Sequence, residues 1–528
     1  MHPTDNTPPL FRRSFLRLAG GSVLLLTAFG VGGTSMHLRA AAARAQSTDP
    51  QAVVSDTPAG RRLREWLAAF NSGDLEATSA FQRDSVDLEP PSLPDGSRPP
   101  DWPPPDLART LAIQDALMQR QTGGFDLRAV SDERSTEHEI VATLQARLTE
   151  VWHEVTLRVH PEPPNRVAWI GLRPASRPAD VPAPGRLTEA EQVADLAGFL
   201  DRLAGADVLS GAVLLAKSGQ PLLDRAYGLA DRDVARPNRT DTKFNLGSMN
   251  KMFTAVAVGQ LVEQGKLGFS DTAARLLPDQ PLPGADRITV HHLLTHTSGL
   301  GDYFGPRFFE GGKDQLRTVW DYFRLFQDQP LAFEPGSKWS YSNAGFVVLG
   351  AIVERISGDD YFEYVRRHVY APAGMHDTDA YERDQSVPNL AIGYTNMGPT
   401  GPELGPPQPN TPTLPFKGGP AGGGYSTTGD LARFAEALLA NRLLGPEMTQ
   451  TLMTGKVETG MAPDERYGYG FIEQRVNGVR IVGHGGGAPG INAGLDIYPD
   501  LGYGVAVLAN VDFGAEVAKR RARELLTA

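Results

Sequence analysis

The chain reads as a mixed α/β (α+β) protein in two parts. A small α+β unit comes first, and a larger mixed domain whose terminal strands share one sheet comes after it. Three observations predict this. The 528 residues exceed the ~250–300 at which single hydrophobic cores stop growing. Between residues 140 and 169 apolar side chains recur with period two, after segments of helical spacing. Strand–turn–strand patterns stand at both ends of the remaining chain with helical segments between, which puts the terminal strands in one sheet.

The small unit spans 50–175. Residues 61–70 have helical spacing, with Leu63, Trp66, Leu67 and Phe70 on one side. Asn71-Ser72-Gly73-Asp74 ends that helix, and 75–81 begins a second. Eight prolines between Pro90 and Pro105 predict an irregular loop, because each removes a backbone donor and fixes φ. Then Ile140, Ala142 and Leu144 alternate with polar neighbours, followed by Val155, Leu157 and Val159, and by Val167 and Trp169. Helices followed by an antiparallel meander resemble the NTF2-like fold, and no catalytic constellation stands out in this unit.

Residues 176–187, rich in proline, form a linker. The larger domain, 188–528, opens on Thr188-Glu189-Ala190-Glu191, a capping box for a helix running to about Leu203. Residues 210–216 and 222–229 read as paired strands. So do 493–498 and 503–510, followed by a final helix over 514–526.

The first 45 residues read as an export signal. Arg12-Arg13-Ser14-Phe15-Leu16 precedes an apolar stretch over 18–31, and Ala43-Arg44-Ala45 offers small residues at both positions a signal peptidase reads. The paired arginines resemble a twin-arginine signal, so a periplasmic or secreted product without a stable membrane span after cleavage is expected. The formal charge is −11; residues 1–45 contribute +4, with five arginines against Asp5, leaving −15 on the rest. Such a surface repels phosphate backbones, which argues against nucleic-acid partners. Cysteine is absent, which excludes disulfides, thiolate nucleophiles and cysteine-based metal centres.

The chemistry concentrates in three short segments. Gly247-Ser248-Met249-Asn250-Lys251 leads into an amphipathic helix expected over 252–264. A serine and a lysine three apart on a helix share a face. At the helix start, unpaired amides and the positive dipole end favour a developing anion. A hydroxyl needs a base, and a lysine serves only where burial lowers its pKa. Taken alone, the pair fits an N-cap serine beside a surface lysine better than a catalytic pair. Trp339-Ser340-Tyr341-Ser342-Asn343 sets a tyrosine in the loop before an apolar helix, where core packing is the default role. Ile481-Val482-Gly483-His484-Gly485-Gly486-Gly487 is a strand whose glycines would let a substrate lie against backbone amides, or else a plain glycine turn.

In this order and spacing, Ser-x-x-Lys, Tyr-x-Asn and His-x-Gly resemble the serine β-lactamase and penicillin-binding superfamily, in the branch of class C β-lactamases, D-alanyl-D-alanine carboxypeptidases and esterases. The resemblance covers about 189–525, and the segments over 291–300 and 422–427 add to it. It implies a transpeptidase-like fold, with an antiparallel sheet and an all-helical subdomain. It also implies an acyl-enzyme on Ser248, with Lys251 and Tyr341 moving protons, and no cofactor or metal. Asn343 would orient the substrate amide and Lys251, the amides of Ser248 and Gly487 would form an oxyanion hole, and His484, Gly485, Gly486 and Tyr303 would border a small ester, amide or peptide substrate.

Where the family commonly has Lys-Thr-Gly, this chain has His484-Gly485-Gly486. Histidine is mostly neutral at pH 7 and holds a substrate carboxylate less firmly, which ranks ester or amide hydrolysis above β-lactam hydrolysis. His292 and His296 stand four apart, but Leu293 occupies the position where a zincin needs glutamate, so they read as structural. The stretch over 398–424, rich in proline and glycine, reads as a lid or rim over the site or else as a long surface loop. The rim is favoured because the stretch leads directly into the glycine-rich segment at 422. A catalytically silent binding protein on the same scaffold is the competing reading.

Overall fold

The computed structural model describes residues 54–88, 106–178, 181, 185, 187–398, 401–462 and 464–528. The expected export signal, the expected proline loop over 90–105 and much of the expected linker lie outside the described residues. The chain divides into two compact units, Met1–Gly185 with Asn396–Pro406, and Arg186–Thr395 with Pro407–Ala528.

In the first unit Thr57 caps α1 (Pro58–Ser72), whose Leu63, Trp66, Leu67 and Phe70 are buried, and Gly73 closes it in the left-handed region. Asp74 caps α2 (Leu75–Ser85). A third helix, α3 (Leu107–Thr122), goes beyond the two expected from the sequence; it buries only Ala112, Ala116 and Thr122, so it carries no marked apolar stripe. A four-stranded antiparallel meander completes the unit: β1 (Phe125–Val130), β2 (Glu139–Ala146), β3 (Trp152–Val159) and β4 (Val167–Pro174). Trp66, Phe70 and Phe125 pack ring on ring in the core, with Phe70 and Phe125 stacked at 5.0 Å. Trp169 corrects the expected alternation. Val159 pairs with Val167 but Arg158 pairs with Trp169, so Ala168 is an inserted bulge residue. A one-residue insertion reverses the facing of the strand beyond it. Val167 is therefore buried, while Trp169 is 49% exposed under the Arg158 guanidinium.

The second unit begins with α4 (Glu189–Gly205), where both halves of the Thr188–Glu191 capping box are formed. Its loss in Thr188→Ala is expected to cost about 1 kcal/mol, read as a lower denaturant midpoint with activity unchanged. β5 (Gly211–Lys217) and β6 (Gln220–Tyr227) form a hairpin. Two helices then fill the interior: α5 (Asn250–Glu263) and α6 (Asn343–Ser357). The expectation of an amphipathic α5 is overturned. Asn250 through Gly259 are all buried, so this stretch has no exposed face and lies inside the core rather than on its surface. After α7 (Thr428–Leu439) come β7 (Val457–Glu458), β8 (Arg466–Tyr467), β9 (Ile472–Val476), β10 (Val479–Ala488), β11 (Ile491–Tyr498) and β12 (Tyr503–Ala509), and finally α8 (Ala515–Leu526).

The sheet runs β7-β8-β9-β10-β11-β12-β5-β6, antiparallel throughout, and Gly211 of β5 pairs with Ala509 of β12. Register shows that helices cover both faces. Gly494 of β11 faces Lys519 of α8, and Gly504 of β12 faces Ala435 of α7. Gly494 pairs with Val507, three residues from Gly504 and hence on the opposite face. His484 and Gly486 of β10 pair with Leu495 and Ala493, so they share the α7 side, where the main core also holds Leu495 and Ala493. Among the described residues no helix is long and apolar enough to cross a membrane.

Candidate active site

Gly247–Met249 form a single 3-10 turn that runs straight into α5. Gly247 adopts φ +50, a left-handed conformation that glycine takes without a steric penalty, and its amide donates to Asn245 Oδ1 at 2.9 Å. Ser248 therefore sits half-buried at the N-terminal end of the buried helix, and Lys251 lies one turn further in with no exposure. Lys251 Nζ donates to three oxygens: Asn343 Oδ1 at 2.7 Å, the Ala421 carbonyl at 2.6 Å and Ser248 Oγ at 3.2 Å. The Tyr341 ring lies 4.7 Å from the same nitrogen. Burial pushes the lysine down to about 7, against a smaller upward pull from Asp302. An amine in that range is about half neutral near pH 7, as a base for a serine must be.

Tyr341 projects from the loop before α6, as expected, and its phenol hydrogen-bonds with Ser248; burial drives its pKa far up, so it stays protonated. The loop is clamped by His296. The His296 carbonyl accepts from the Ser340 amide at 2.9 Å, and its Nδ1 accepts from the Ser342 amide at 3.1 Å. Its ring lies 4.3 Å from that of Tyr341, and burial holds its pKa well below the usual range. Sequence reasoning sees His296 as half of an i, i+4 pair and as part of the segment over 291–300, with no role of its own. The helix there spans Val290–Leu294, so His296 lies beyond it, with φ +60, and the pair shares no face. His292 instead caps that helix through Thr289.

β9 pairs with β10 only as far as Gly483, so from His484 onward one side of β10 carries no strand partner. A Cβ on Gly486 would stand 1.9 Å from the Leu246 carbonyl and 3.1 Å from the Ser248 amide nitrogen, whereas one on Gly487 would meet nothing within 4 Å. Glycine at 486 thus lets the strand lie against the serine turn, and Gly487 borders open space. Gly485 lies between His484 and Gly486, paired with Gly494. His484 is buried. Its Nε2 contacts the Tyr467 hydroxyl at 2.9 Å and its Nδ1 lies 2.5 Å from the Gly485 carbonyl. Burial, followed by the charge of Lys251, pushes it down to about 3. It is a neutral wall residue with both nitrogens engaged.

Asn343 opens α6 with its oxygen on Lys251 and its Nδ2 donating to Asp302 Oδ2 at 2.7 Å. Asp302 is missed by sequence reasoning, although it stands two residues after the segment singled out over 291–300. Tyr303, expected at the substrate, is 5% exposed and packs among Phe304, Phe308 and Tyr322 in the core. The stretch over 398–424 divides: Gly401–Pro406 groups with the first unit, while its end braces the serine turn from behind. The Gly423 amide donates to the Gly247 carbonyl at 3.1 Å, the Gly424 carbonyl accepts from Leu246, and Thr254 of α5 donates to the Pro420 carbonyl at 2.7 Å. That end is a floor rather than a rim. Among the described residues no group of three potential ligands is placed to hold a metal ion.

The site can therefore set a buried, depressed lysine against a serine and present backbone amides beside it. Comparison with known proteins agrees with that geometry. The family described as Beta-lactamase matches residues 153–528. A penicillin-binding protein of Bacillus subtilis (strain 168) is 32% identical over 317 residues, 58% of this chain and 69% of its own length. Esterase EstB of Burkholderia gladioli is 33% identical over 319 residues, covering 54% of this chain and 80% of its own. The crystal structure of a penicillin binding protein from Bacillus halodurans superposes with a TM-score of 0.55 at 34% identity, over 63% of this chain and 98% of that one. The chain belongs to the beta-lactamase family and is a serine hydrolase of that family.

Proposed function

We propose that the protein hydrolyses small neutral esters or amides through an acyl-enzyme on Ser248. The observation that carries this is the placement of Lys251: fully buried, pushed to about 7, and 3.2 Å from the serine oxygen. Neutral Lys251 takes the Ser248 proton as Oγ attacks the substrate carbonyl. The oxyanion forms against the amides of Ser248 and Gly487, an environment in which one donor is typically worth ~10²–10³ in rate. Tyr341, held protonated, gives its proton to the leaving oxygen or nitrogen and recovers one from Lys251. A water then repeats the sequence in reverse to free the acid and regenerate the serine.

Two further points support a neutral substrate. His484 stands where a lysine would supply fixed positive charge, and it is held uncharged. One relative bears the name esterase. A p-nitrophenyl short-chain ester is expected to turn over at least about 10-fold faster than nitrocefin, and a fluorophosphonate probe is expected to leave its mass adduct on the peptide carrying Ser248. Faster nitrocefin turnover reverses the substrate ranking; an adduct elsewhere, or none, removes the acyl-enzyme.

We also propose that the protein is exported to the periplasm or beyond, on the strength of the twin arginines and the Ala43-Arg44-Ala45 site. The N-terminal unit is proposed as NTF2-like, supported by helices followed by a four-stranded meander. Cell fractionation of the wild type against Arg12→Lys/Arg13→Lys tests the export, which should fail in the variant.

A further inference from the structure

Asp302 touches neither the serine nor the lysine. It reaches the lysine through one carboxamide, whose two ends are held by opposite demands. Asn343 Oδ1 accepts from Lys251 at 2.7 Å, and Asn343 Nδ2 donates to Asp302 Oδ2 at 2.7 Å. The other carboxylate oxygen, Oδ1, accepts from the Phe304 amide at 3.1 Å, which fixes the carboxylate in its turn. An asparagine amide can exchange its O and N ends at almost no steric cost, so the partners decide which way it points.

Protonated Lys251 settles the matter unaided, because it has only hydrogens to offer. The neutral lysine does not. It carries two hydrogens and one lone pair, and the Ala421 carbonyl, which can only accept, takes one hydrogen at 2.6 Å. If Asn343 turned its N–H toward Nζ, that N–H would occupy the lone pair. The remaining lysine hydrogen would then face Ser248 Oγ, the wrong polarity for removing the serine proton. With the oxygen of Asn343 toward Nζ, both hydrogens are used and the lone pair is left for the serine. We propose that Asp302 is a positioning residue that locks the Asn343 carboxamide with its oxygen toward Lys251, which reserves the lone pair of the neutral lysine for the Ser248 proton. This rests on the reading of Lys251 as the base.

The charge environment gives the lock an independent signature. Facing Lys251 are Asp302 through Asn343, the rings of Tyr341 and Phe346, and His296 and His484, both held neutral by burial. Facing Asp302 are Lys251 and the phenols of Tyr303 and Tyr341. Asp302 opposes the burial that lowers the lysine. Removing its charge lowers the lysine further, so the acid limb of kcat/KM moves to lower pH.

Two substitutions separate a lock from a filler of space. Asp302→Ala leaves Asn343 free to point either way. Asp302→Asn keeps the shape, but one oxygen must serve the Phe304 amide, so its NH₂ faces Asn343 and demands the Asn343 oxygen. That turns the carboxamide the wrong way. For a short-chain ester, kcat is expected to fall about 10-fold in Asp302→Ala and about 100-fold in Asp302→Asn, with KM changed less than about 3-fold and both acid limbs displaced downward. Adding Asn343→Asp to Asp302→Asn restores an acceptor that cannot flip and should recover at least about 10-fold at pH 9, with the limb displaced upward.

A wild-type profile with no limb near 7 removes Lys251 as base, and the lock with it. A wild-type limb present, with Asp302→Asn milder than Asp302→Ala or with limbs unmoved, overturns the lock alone. If either single variant fails to fold, the double variant against the wild type decides. No recovery at pH 9 overturns the proposal.

Discussion

Lys251→Met is expected to lower kcat/KM for a short-chain ester by roughly 10²–10⁴, the usual worth of a positioned general base, while the protein remains folded. Methionine fills nearly the same buried volume, but it leaves Ser248, Asn343 and the Ala421 carbonyl without the donor they share. The loss should fall on kcat and on probe acylation rather than on KM. The same variant carries a second signature with a definite sign. The lysine titrates at about 7 when folded and near its ordinary 10.5 when unfolded. Between those values the unfolded chain binds the extra proton, so wild-type stability rises with pH through that window and the contribution is absent below it. The maximum slope is about 1.4 kcal/mol per pH unit for one proton. In Lys251→Met that rise disappears. Denaturant midpoints for both proteins at pH 6.5, 8 and 9.5 therefore check the depressed lysine without reference to any substrate. Parallel curves would refute the depressed lysine, and a variant that retains full activity would refute its role as the base.

The parts of this site that could be read from the sequence are those set by local spacing. Ser248 and Lys251 are one helical turn apart, and a turn brings them together wherever the helix lies. Tyr341 and Asn343 flank a cap residue, Ser342, whose hydroxyl accepts from the Gly345 amide. The terminal strands read as short, nearly continuous apolar runs because helices cover both faces, α7 on one and α8 on the other. What could not be read is whatever depends on contacts far along the chain. Asp302 acts only because Asn343, 41 residues later, turns its amide toward it. His296 matters because Ser340 and Ser342 fold back onto it. The Ala421 carbonyl has no side chain to announce it. The error over α5 has the same origin. Its polar residues, Asn250, Lys251 and Thr254, look like a solvent face in one dimension, yet each has a buried partner. Trp169 is wrongly counted with the buried set because a bulge is invisible to a period of two.

Gly486→Ala is expected to reduce kcat by about 10²–10³, and Gly487→Ala by less than about 10-fold for a small ester. The two positions are adjacent and chemically identical, so composition predicts no difference. Geometry does. The added methyl at 486 would overlap the Leu246 carbonyl at 1.9 Å and crowd the Ser248 amide at 3.1 Å, both backbone atoms that cannot rotate aside. Strand β10 is paired to β11 along this stretch, so the turn carrying the serine is what must shift. A displacement of about 1 Å there misaligns nucleophile, base and oxyanion amides together, and such misplacement alone costs on the order of 10²-fold. At 487 the methyl enters open space and competes only with bulky substrate. The discriminating measurement is kcat for an acetyl ester against a bulky acyl ester in both variants. In Gly486→Ala both substrates should suffer alike, since the catalytic geometry itself is lost, whereas in Gly487→Ala the bulky ester alone should slow. The opposite order would mean that the strand does not press against the serine turn, and the oxyanion site would have to be sought elsewhere.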